Sequence, residues 1–232
     1  MSQRVDAAAA YVLHTRPYRE TSLLVDLLTL EHGRVSLVAR GARRPGSRLR
    51  ASLQPFQSLQ AGWQGRAELK TLRSAEPVES LLMLRGRSLL CGLYLNELLQ
   101  RLLRPMDPHP RLFVYYRYAL NELRQGQDLE GALRTFERQL LEQLGFGLEM
   151  SALQPGQSYR LDPERGLVPG TGPETYLAEH LQAIAEDRYD DPAVRRTAKR
   201  LMRNRLTPLL GDRPLRSREL FLKRKGVQDD RA

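Results

Sequence analysis

Arginines are concentrated in one stretch near the start of the chain, and the chemistry they offer is anion binding. No acidic residue occurs between Glu31 and Glu68, although seven arginines do. Arginine outnumbers lysine by 33 to 4 in the whole chain. Because the excess is general, the positions of these arginines are more informative than the choice of arginine over lysine. A basic stretch without acids attracts polyanions directly and through the release of their condensed counterions. The stretch therefore predicts a loop that binds a polyanion.

Nucleic acid is the polyanion that this pattern favours, because small β domains with cationic loops commonly bind single strands. Such domains also expose aromatic side chains, on which each stacked base is worth about 1–3 kcal/mol. Trp63 is predicted to be exposed at the tip of a GWQG turn, whereas Phe56 is assigned to the core. The predicted nucleic-acid-binding residues are Arg34, Arg40, Arg43, Arg44, Arg48, Arg50, Trp63, Lys70 and Arg73.

Groups that could catalyse covalent chemistry form no recognised motif. The four histidines are far apart and lack HExxH or an equivalent spacing. Cys91 is the only cysteine, which excludes an internal disulfide and a cysteine-rich zinc site. We predict neither a metal nor a cofactor.

One acidic segment leaves an alternative open. EDRYDDP, at 186–192, could hold Mg²⁺ for a nuclease. A solvated helix end with an N-cap at Asp191 is the favoured interpretation, because short acidic side chains commonly cap helices. The acids that the nuclease alternative would use are Glu186, Asp187, Asp190 and Asp191.

Short strands are the elements that would position the arginines. Before residue 80 the chain consists of short β-type segments separated by glycine, proline and serine. Five strands in about 75 residues favour a small closed barrel over a βαβ sheet. The predicted strands are 10–18, 21–30, 34–40, 52–63 and 67–76.

After residue 80 the hydrophobic period becomes that of helices. Apolar residues spaced by three and four from Leu89 to Leu103 predict a central helix. The segment 146–172 has no helical period and predicts a long loop with a hairpin, in which 159–160 face 166–168. Further helices are predicted at 110–125, 129–144, 173–187, 192–207 and 214–225. The predicted class is α+β, with domains at 1–80 and 81–232.

Composition limits the remaining possibilities. The chain is 41% hydrophobic and 28% charged, which is typical of globular proteins, and its net charge is +10. No apolar run approaches the roughly 18 residues that a transmembrane helix needs. The first residues lack the long apolar core and cleavage site of a signal peptide. We therefore expect a cytoplasmic protein with no membrane contact.

Several ungapped blocks resemble the RecO family of bacterial recombination mediators. Its N-terminal domain is similar to VLHTRPYRETSLLVDLLTLEHGRVSLVARGARR, followed by LQPF and ELKTLRSAE. Its helical domain is similar, in the same order, to GLYLNELLQRLL, ALRTFERQLLEQLGFG and PLRSRELF. The resemblance implies a five-stranded OB-fold barrel followed by an α-helical domain.

The resemblance also implies a function without covalent catalysis. Proteins of this family bind single- and double-stranded DNA and anneal complementary strands. They act with RecR to help RecA replace single-stranded DNA-binding protein (SSB). A general RNA-binding barrel remains an alternative, because a cationic loop alone does not distinguish RNA from DNA.

Family members bind the C-terminal tail of SSB, which is acidic and ends in an apolar residue with a free carboxylate. A receiving site needs an apolar pocket edged by a cation. The helical segment ALRTFERQLLEQLG offers Leu133, Phe136 and Leu140, with Arg134 and Arg138 beside them. The alternative is that the apolar residues are core and both arginines face water.

Many RecO proteins carry four cysteines as a structural zinc site in the helical domain. The segment 146–172 contains none, so we expect a zinc-free loop or hairpin there. Folding should then be independent of metal, and a chelator should leave the melting temperature unchanged.

Overall fold

The computed structural model describes residues 4–221, which divide into two compact units. The first unit contains 4–126 and 213–221, and the second contains 127–212. The predicted division at residue 80 follows the change from strands to helices. It stays a prediction, since the compact units group the first long helices with the strands.

Five strands and one short helix open the first unit. They are β1 (Arg4–Tyr18), β2 (Ser22–Thr29), β3 (Gly33–Ala39), α1 (Arg48–Ser52), β4 (Ser58–Gln64) and β5 (Lys70–Pro77). The paired order is β1-β2-β3-β5-β4, and β1 also pairs with β4, so the pairings form a ring. Only β3 and β5 run parallel. The predicted α+β class, with an N-terminal five-stranded OB-like sheet followed by helices, is confirmed.

Alternation along the strands builds the core of this sheet. In β3, Val35, Leu37 and Ala39 are fully buried, while the intervening residues lie half-buried on the other face. The predicted fourth strand, 52–63, was wrong at its start. Residues 48–52 form α1 instead, and β4 begins at Ser58.

Glycine is required at one turn of the sheet. Gly33 has φ +64°, and a Cβ atom there would lie 2.0 Å from the carbonyl oxygen of Asp107. Thr29 closes the turn, because its hydroxyl donates to the Gly33 carbonyl (2.8 Å) and accepts from the His32 amide (3.1 Å). The EHGR segment therefore forms the β2–β3 turn.

Two long helices follow, α2 (Gly86–Leu102) and α3 (Pro110–Gln125). Asn96 fastens α2 to both neighbours, since its amide donates to the Leu13 carbonyl (2.7 Å) and accepts from the Tyr116 hydroxyl (2.6 Å). All of these groups are buried. Burial raises the pKa of Tyr116 well above its ordinary value, so the hydroxyl remains a donor.

The helix at 216–221 is held to α2 by one carboxylate. Glu97 accepts from the amides of Arg216 (2.9 Å) and Ser217 (2.9 Å) and from the Ser217 hydroxyl (2.7 Å). Burial alone would raise the pKa of Glu97, but these hydrogen bonds outweigh it and hold the pKa below the ordinary value of 4.5. The carboxylate thus satisfies backbone donors at a helix start.

We expect Glu97→Gln to lower the free energy of unfolding at pH 7. Because the folded pKa of Glu97 is depressed, its contribution is complete above about pH 4.5 and is lost as the pH falls through the folded value. The difference in the free energy of unfolding between wild type and variant should therefore be smaller in acid. Urea unfolding at pH 7 and pH 3.5 measures this difference. A difference of equal size at both pH values would contradict the stabilising role of the Glu97 carboxylate.

The second unit combines three helices with a small sheet. Its elements are α4 (Leu129–Gln143), β6 (Ser158–Asp162), β7 (Gly166–Pro169), β8 (Thr175–Leu177), α5 (Ala178–Ala185) and α6 (Pro192–Leu210). The sheet order is β7-β6-β8. The predicted hairpin is confirmed, with Arg160 paired to Val168.

Two of the predicted helices coincide only in part with helical residues that the structure describes. The helix predicted at 173–187 was wrong at its start, because Tyr176 pairs with Tyr159 in β8 and is buried, so α5 begins only at Ala178. Of the helix predicted at 214–225, residues 216–221 are helical, and 222–225 lie outside the described residues. In the part of the chain that the structure describes, no helix has the length and apolarity that a bilayer span needs.

Candidate nucleic-acid interface

The arginine-rich stretch forms an exposed loop that leads into α1. We call residues 40–50 the cationic loop. It begins where β3 ends, turns at Gly41 (φ +69°) and Gly46 (φ +74°), and continues into the helix. Its exposed cations are Arg40, Arg43, Arg44, Arg48 and Arg50.

The cationic loop is anchored to the turn between β1 and β2. The Arg43 amide donates to the Thr21 carbonyl (2.8 Å), and its Nη1 donates to the carbonyls of Arg19 (3.2 Å) and Glu20 (3.3 Å). Ala42 and Leu53 are buried in the sheet core and fix the loop near both ends. The fold therefore holds the backbone of the loop and the Arg43 guanidinium, which lowers the entropy cost of binding.

The β1–β2 hairpin that anchors the cationic loop contains two arginines that the sequence-based prediction did not include. Arg16 lies at the exposed end of β1, paired with Leu24, and Arg19 follows in the turn. The Arg19 guanidinium carbon is 5.2 Å from the centre of the Tyr18 ring, within cation–π range. The segment RPYRETS, which spans the end of one predicted strand and the start of the next, was the available signal. It placed two cations and an aromatic residue in a hairpin end.

Two predicted contacts are buried instead. Trp63 was predicted to be exposed, but it is fully buried in the sheet core, because β4 continues through Gln64 and Leu59, Ala61 and Trp63 all point inward. Lys70 is 4% exposed, and its Nζ donates to the Ala67 carbonyl (3.1 Å). Neither side chain can reach a ligand on this surface.

The last two predicted arginines differ in exposure. Arg34 is largely buried, with its Nε donating to the Leu103 carbonyl (3.2 Å) and Nη1 lying 3.8 Å from Asp26. It holds the segment after α2 to the sheet. Arg73 is exposed on β5 and donates to the Gln64 side chain (2.7 Å). Arg73 thus stays among the candidate contacts, whereas Arg34 has a structural role.

The apolar residues predicted to receive the SSB tail are core residues. Leu133, Phe136 and Leu140 are 8%, 0% and 0% exposed, so they form no open pocket. Their arginine neighbours do not face water either. Arg134 Nη1 lies 2.9 Å from Glu137, and Arg138 donates through Nε and Nη2 to Asp187 (3.2 and 2.5 Å).

Arg138 and the acidic segment after α5 therefore have structural partners. Burial alone would lower the pKa of Arg138, but the hydrogen bonds and charge of Asp187 outweigh it and raise that pKa. Asp191 caps α6 by accepting from the Ala193 amide (2.7 Å), and Glu186 pairs with Arg188. Within residues 4–221, no three His, Cys, Asp or Glu side chains are grouped as metal ligands would be.

The fold and the exposed arginines define a class of protein. It is an α+β protein whose N-terminal OB-like sheet presents a cationic loop and is followed by helices. OB folds bind oligonucleotides through strands two and three and through the loops between strands one and two and between four and five. The cationic loop lies against the first of those loops.

Comparisons with known proteins give the family. The family described as "Recombination protein O N terminal" matches residues 1–81, and the family described as "Recombination protein O C terminal" matches residues 83–152. A "DNA repair protein RecO" from Methylococcus capsulatus is 46% identical over 220 residues, which cover 91% of both chains. A protein of the same name from Cellvibrio japonicus is 45% identical over 229 residues, which cover 94% of this chain and 97% of that protein. The one from Pseudomonas paraeruginosa is 46% identical over 227 residues, which cover 94% of this chain and 96% of that protein. The chain belongs to the RecO family of DNA repair proteins.

Proposed function

We propose that this chain binds single- and double-stranded DNA, anneals complementary strands, and acts with RecR to help RecA replace SSB on single strands. The observation that carries this proposal is the cationic loop, which a RecO-family chain presents from its OB-like sheet. The ligand would place the protein at the nucleoid in the cytoplasm.

Annealing requires no nucleophile and no general base. Two complementary strands repel each other through their phosphates, and cations that neutralise both strands reduce the cost of encounter. The cationic loop offers guanidinium groups on a short exposed segment, where phosphates can be reached without enclosing the bases. Bases left accessible in this way can pair with a second strand.

We expect Arg43→Ala combined with Arg44→Ala to weaken binding about equally for all DNA sequences. Phosphate contacts carry no sequence information. Each lost contact reduces the magnitude of the negative slope of log K against log[salt] by roughly 0.7 to 0.9. The slope should therefore fall by about one to two units. Fluorescence anisotropy of a labelled oligonucleotide at several salt concentrations measures it.

A charge-matched control is available in the same unit. Arg111 and Arg124 are both exposed on α3, and changing both to alanine removes the same net charge. This control should leave the slope unchanged. An equal slope in the loop variant and wild type would make the cationic loop an ordinary solvated surface.

SSB contact remains part of the proposal, with its site shifted along α4. A cavity of about 400 Å³ in the second unit is lined by Leu141, Phe146 and Met202. Arg138 also lines it, but Asp187 holds its guanidinium, so the cavity offers the tail an apolar lining for its last residue. Glu142 and Glu149 also line the cavity, so it should accept the apolar end of the tail and repel its acidic part.

We expect Phe146→Ser to weaken binding of an SSB tail peptide by about tenfold or more, because Phe146 is 43% exposed at this cavity. Leu177→Ser is the matched control, since Leu177 is 46% exposed and does not line the cavity. Titration of a fluorescent tail peptide compares them. Equal affinities for both variants would place the tail elsewhere, and a pull-down with purified RecR tests the other partner.

Two alternatives have direct tests. A nuclease would release label from DNA only with Mg²⁺, yet three of the four acids that it needs, Asp191, Asp187 and Glu186, cap α6 or bind arginines. A general RNA-binding protein would bind RNA and DNA of equal length alike at the same salt. Preference for DNA in that competition would favour the proposed function.

A further inference from the structure

Helix α6 in the second unit is unusually basic. Its 19 residues contain six cations and no acid. Like charges three or four residues apart on a helix destabilise it, so this composition is unfavourable for the isolated helix. The buried face of α6 must supply the compensating stability, through Val194, Ala198, Leu201, Met202 and Leu206.

Three of the six cations hold the second unit together. Arg195 donates to the Tyr189 carbonyl and to Asp128. Arg200 donates to the Pro173 carbonyl (3.0 Å), and its guanidinium lies 4.4 Å from the centre of the Tyr176 ring. Arg205 donates to the Phe146 carbonyl (2.7 Å). Folding accounts for these three residues.

The other three cations form a line on the exposed side of α6. Arg196, Lys199 and Arg203 follow one another at spacings of three and four, and all are exposed. Among the described residues 4–221, no ion pair involves any of them. We call these three residues the α6 stripe. Packing and ion pairing within the unit do not explain it.

The length and surroundings of the α6 stripe select its ligand. At 1.5 Å per residue the line is about 10 Å long, close to three phosphate intervals of about 3.4 Å measured along the axis of B-DNA. No large hydrophobic side chain of α6 is exposed among the described residues. A membrane surface or a peptide groove would need an apolar face beside the cations. A phosphate backbone needs only the charges.

We propose that the α6 stripe is a second nucleic-acid site, which binds the phosphate backbone independently of the cationic loop. This inference rests on the proposed DNA binding and extends it, because the chain would then have one polyanion site in each unit. The two sites could hold two complementary strands of one annealing reaction. The stripe neutralises backbone charge and reads no base sequence.

The test removes the stripe and keeps the helix. Arg196→Gln, Lys199→Gln and Arg203→Gln together remove three charges, and glutamine is also a good helix former. The control changes Arg160, Arg165 and Arg188 to glutamine, because these are exposed in the same unit and lie beside acids. The readouts are the salt dependence of DNA binding, the annealing rate of complementary oligonucleotides, and the melting temperature.

We expect the stripe variant to anneal at least tenfold more slowly than the control, with its salt slope reduced by about two to three units. Its melting temperature should not fall, since repulsion along α6 is relieved. Annealing and salt slope equal to those of the control would overturn the inference. Loss of binding to poly-glutamate with unchanged DNA binding would also overturn it, by making the stripe a surface for acidic protein.

Failure of the proposed function would look different. Wild-type protein would then neither bind nor anneal DNA at low salt, and both proposals would fall together. If wild type binds and anneals but the stripe variant matches the control, only the second site is refuted.

Discussion

Replacing Trp63 with alanine should lower the free energy of unfolding by about 3–5 kcal/mol. The indole is fully buried in the sheet core, and its ring meets His32 at 5.2 Å between centroids. Alanine would leave a cavity that a closed ring of paired strands cannot easily collapse. Urea unfolding followed by circular dichroism measures the change, because Trp63 is the only tryptophan and the variant has no indole fluorescence.

Two further variants separate packing from DNA contact. Gln60→Ala changes an exposed position of the same strand and should shift the free energy by less than about 0.5 kcal/mol. Trp63→Leu keeps an apolar side chain in the core and removes the aromatic face, so the DNA affinity of the folded variant should be nearly unchanged. If Trp63 stacked on a base, the affinity of Trp63→Leu would fall by about fivefold or more, and that result would restore the sequence-based prediction.

Arg134→Ala should also cost about 3–5 kcal/mol, because it removes one partner of a buried ion pair. The Arg134 side chain is 11% exposed and that of Glu137 is 1% exposed. The substitution would remove the charge of Arg134 from beside a carboxylate in the interior of the second unit. Urea unfolding of the full chain measures the change, and a loss below about 1 kcal/mol would contradict the buried pair.

A double variant distinguishes structure from SSB contact. Arg134→Met with Glu137→Leu replaces the pair by apolar groups of similar size, which is often neutral or stabilising. If the folded double variant loses tail-peptide binding about tenfold and keeps DNA binding, Arg134 contacts the tail as its sequence suggested. Unchanged peptide binding would assign Arg134 to the fold alone.

Strands and long helices were predictable because each leaves a period in its own residues. Helix α3 occupies 110–125 as predicted, and the hairpin of β6 and β7 was found despite its short length. Apolar spacing and helix-capping residues are local signals, so they can be recognised without knowing the partner elements.

Trp63 shows where local signals fail. GWQG has the composition of a turn, but Gly62 serves a different purpose, because a Cβ atom there would lie 2.5 Å from the carbonyl oxygen of Asp6. The glycine allows β1 to approach β4 closely and ends no strand. This close approach joins Asp6 and Gly62, which are 56 residues apart in the sequence. The residue pattern of β4 alone therefore does not reveal it.

The candidate site was predictable in part for the same reason. The acid-free stretch predicted the exposed arginines of the cationic loop, since charge density is visible in the sequence. The sequence did not show which of the cations form hydrogen bonds within the fold. Arg34 bonds to Leu103, and Arg138 to Asp187, so their partners lie 69 and 49 residues away. Only the tertiary structure separates cations available to a ligand from those that hold the chain together.

Annealing of SSB-coated complementary strands tests the central claim most directly. Two labelled oligonucleotides, each saturated with SSB, are mixed with the full-length protein in the presence of EDTA and without nucleotide. We predict that the wild-type chain accelerates annealing at least tenfold and that Arg43→Ala with Arg44→Ala loses most of that acceleration. Annealing no faster than with SSB alone would contradict the account.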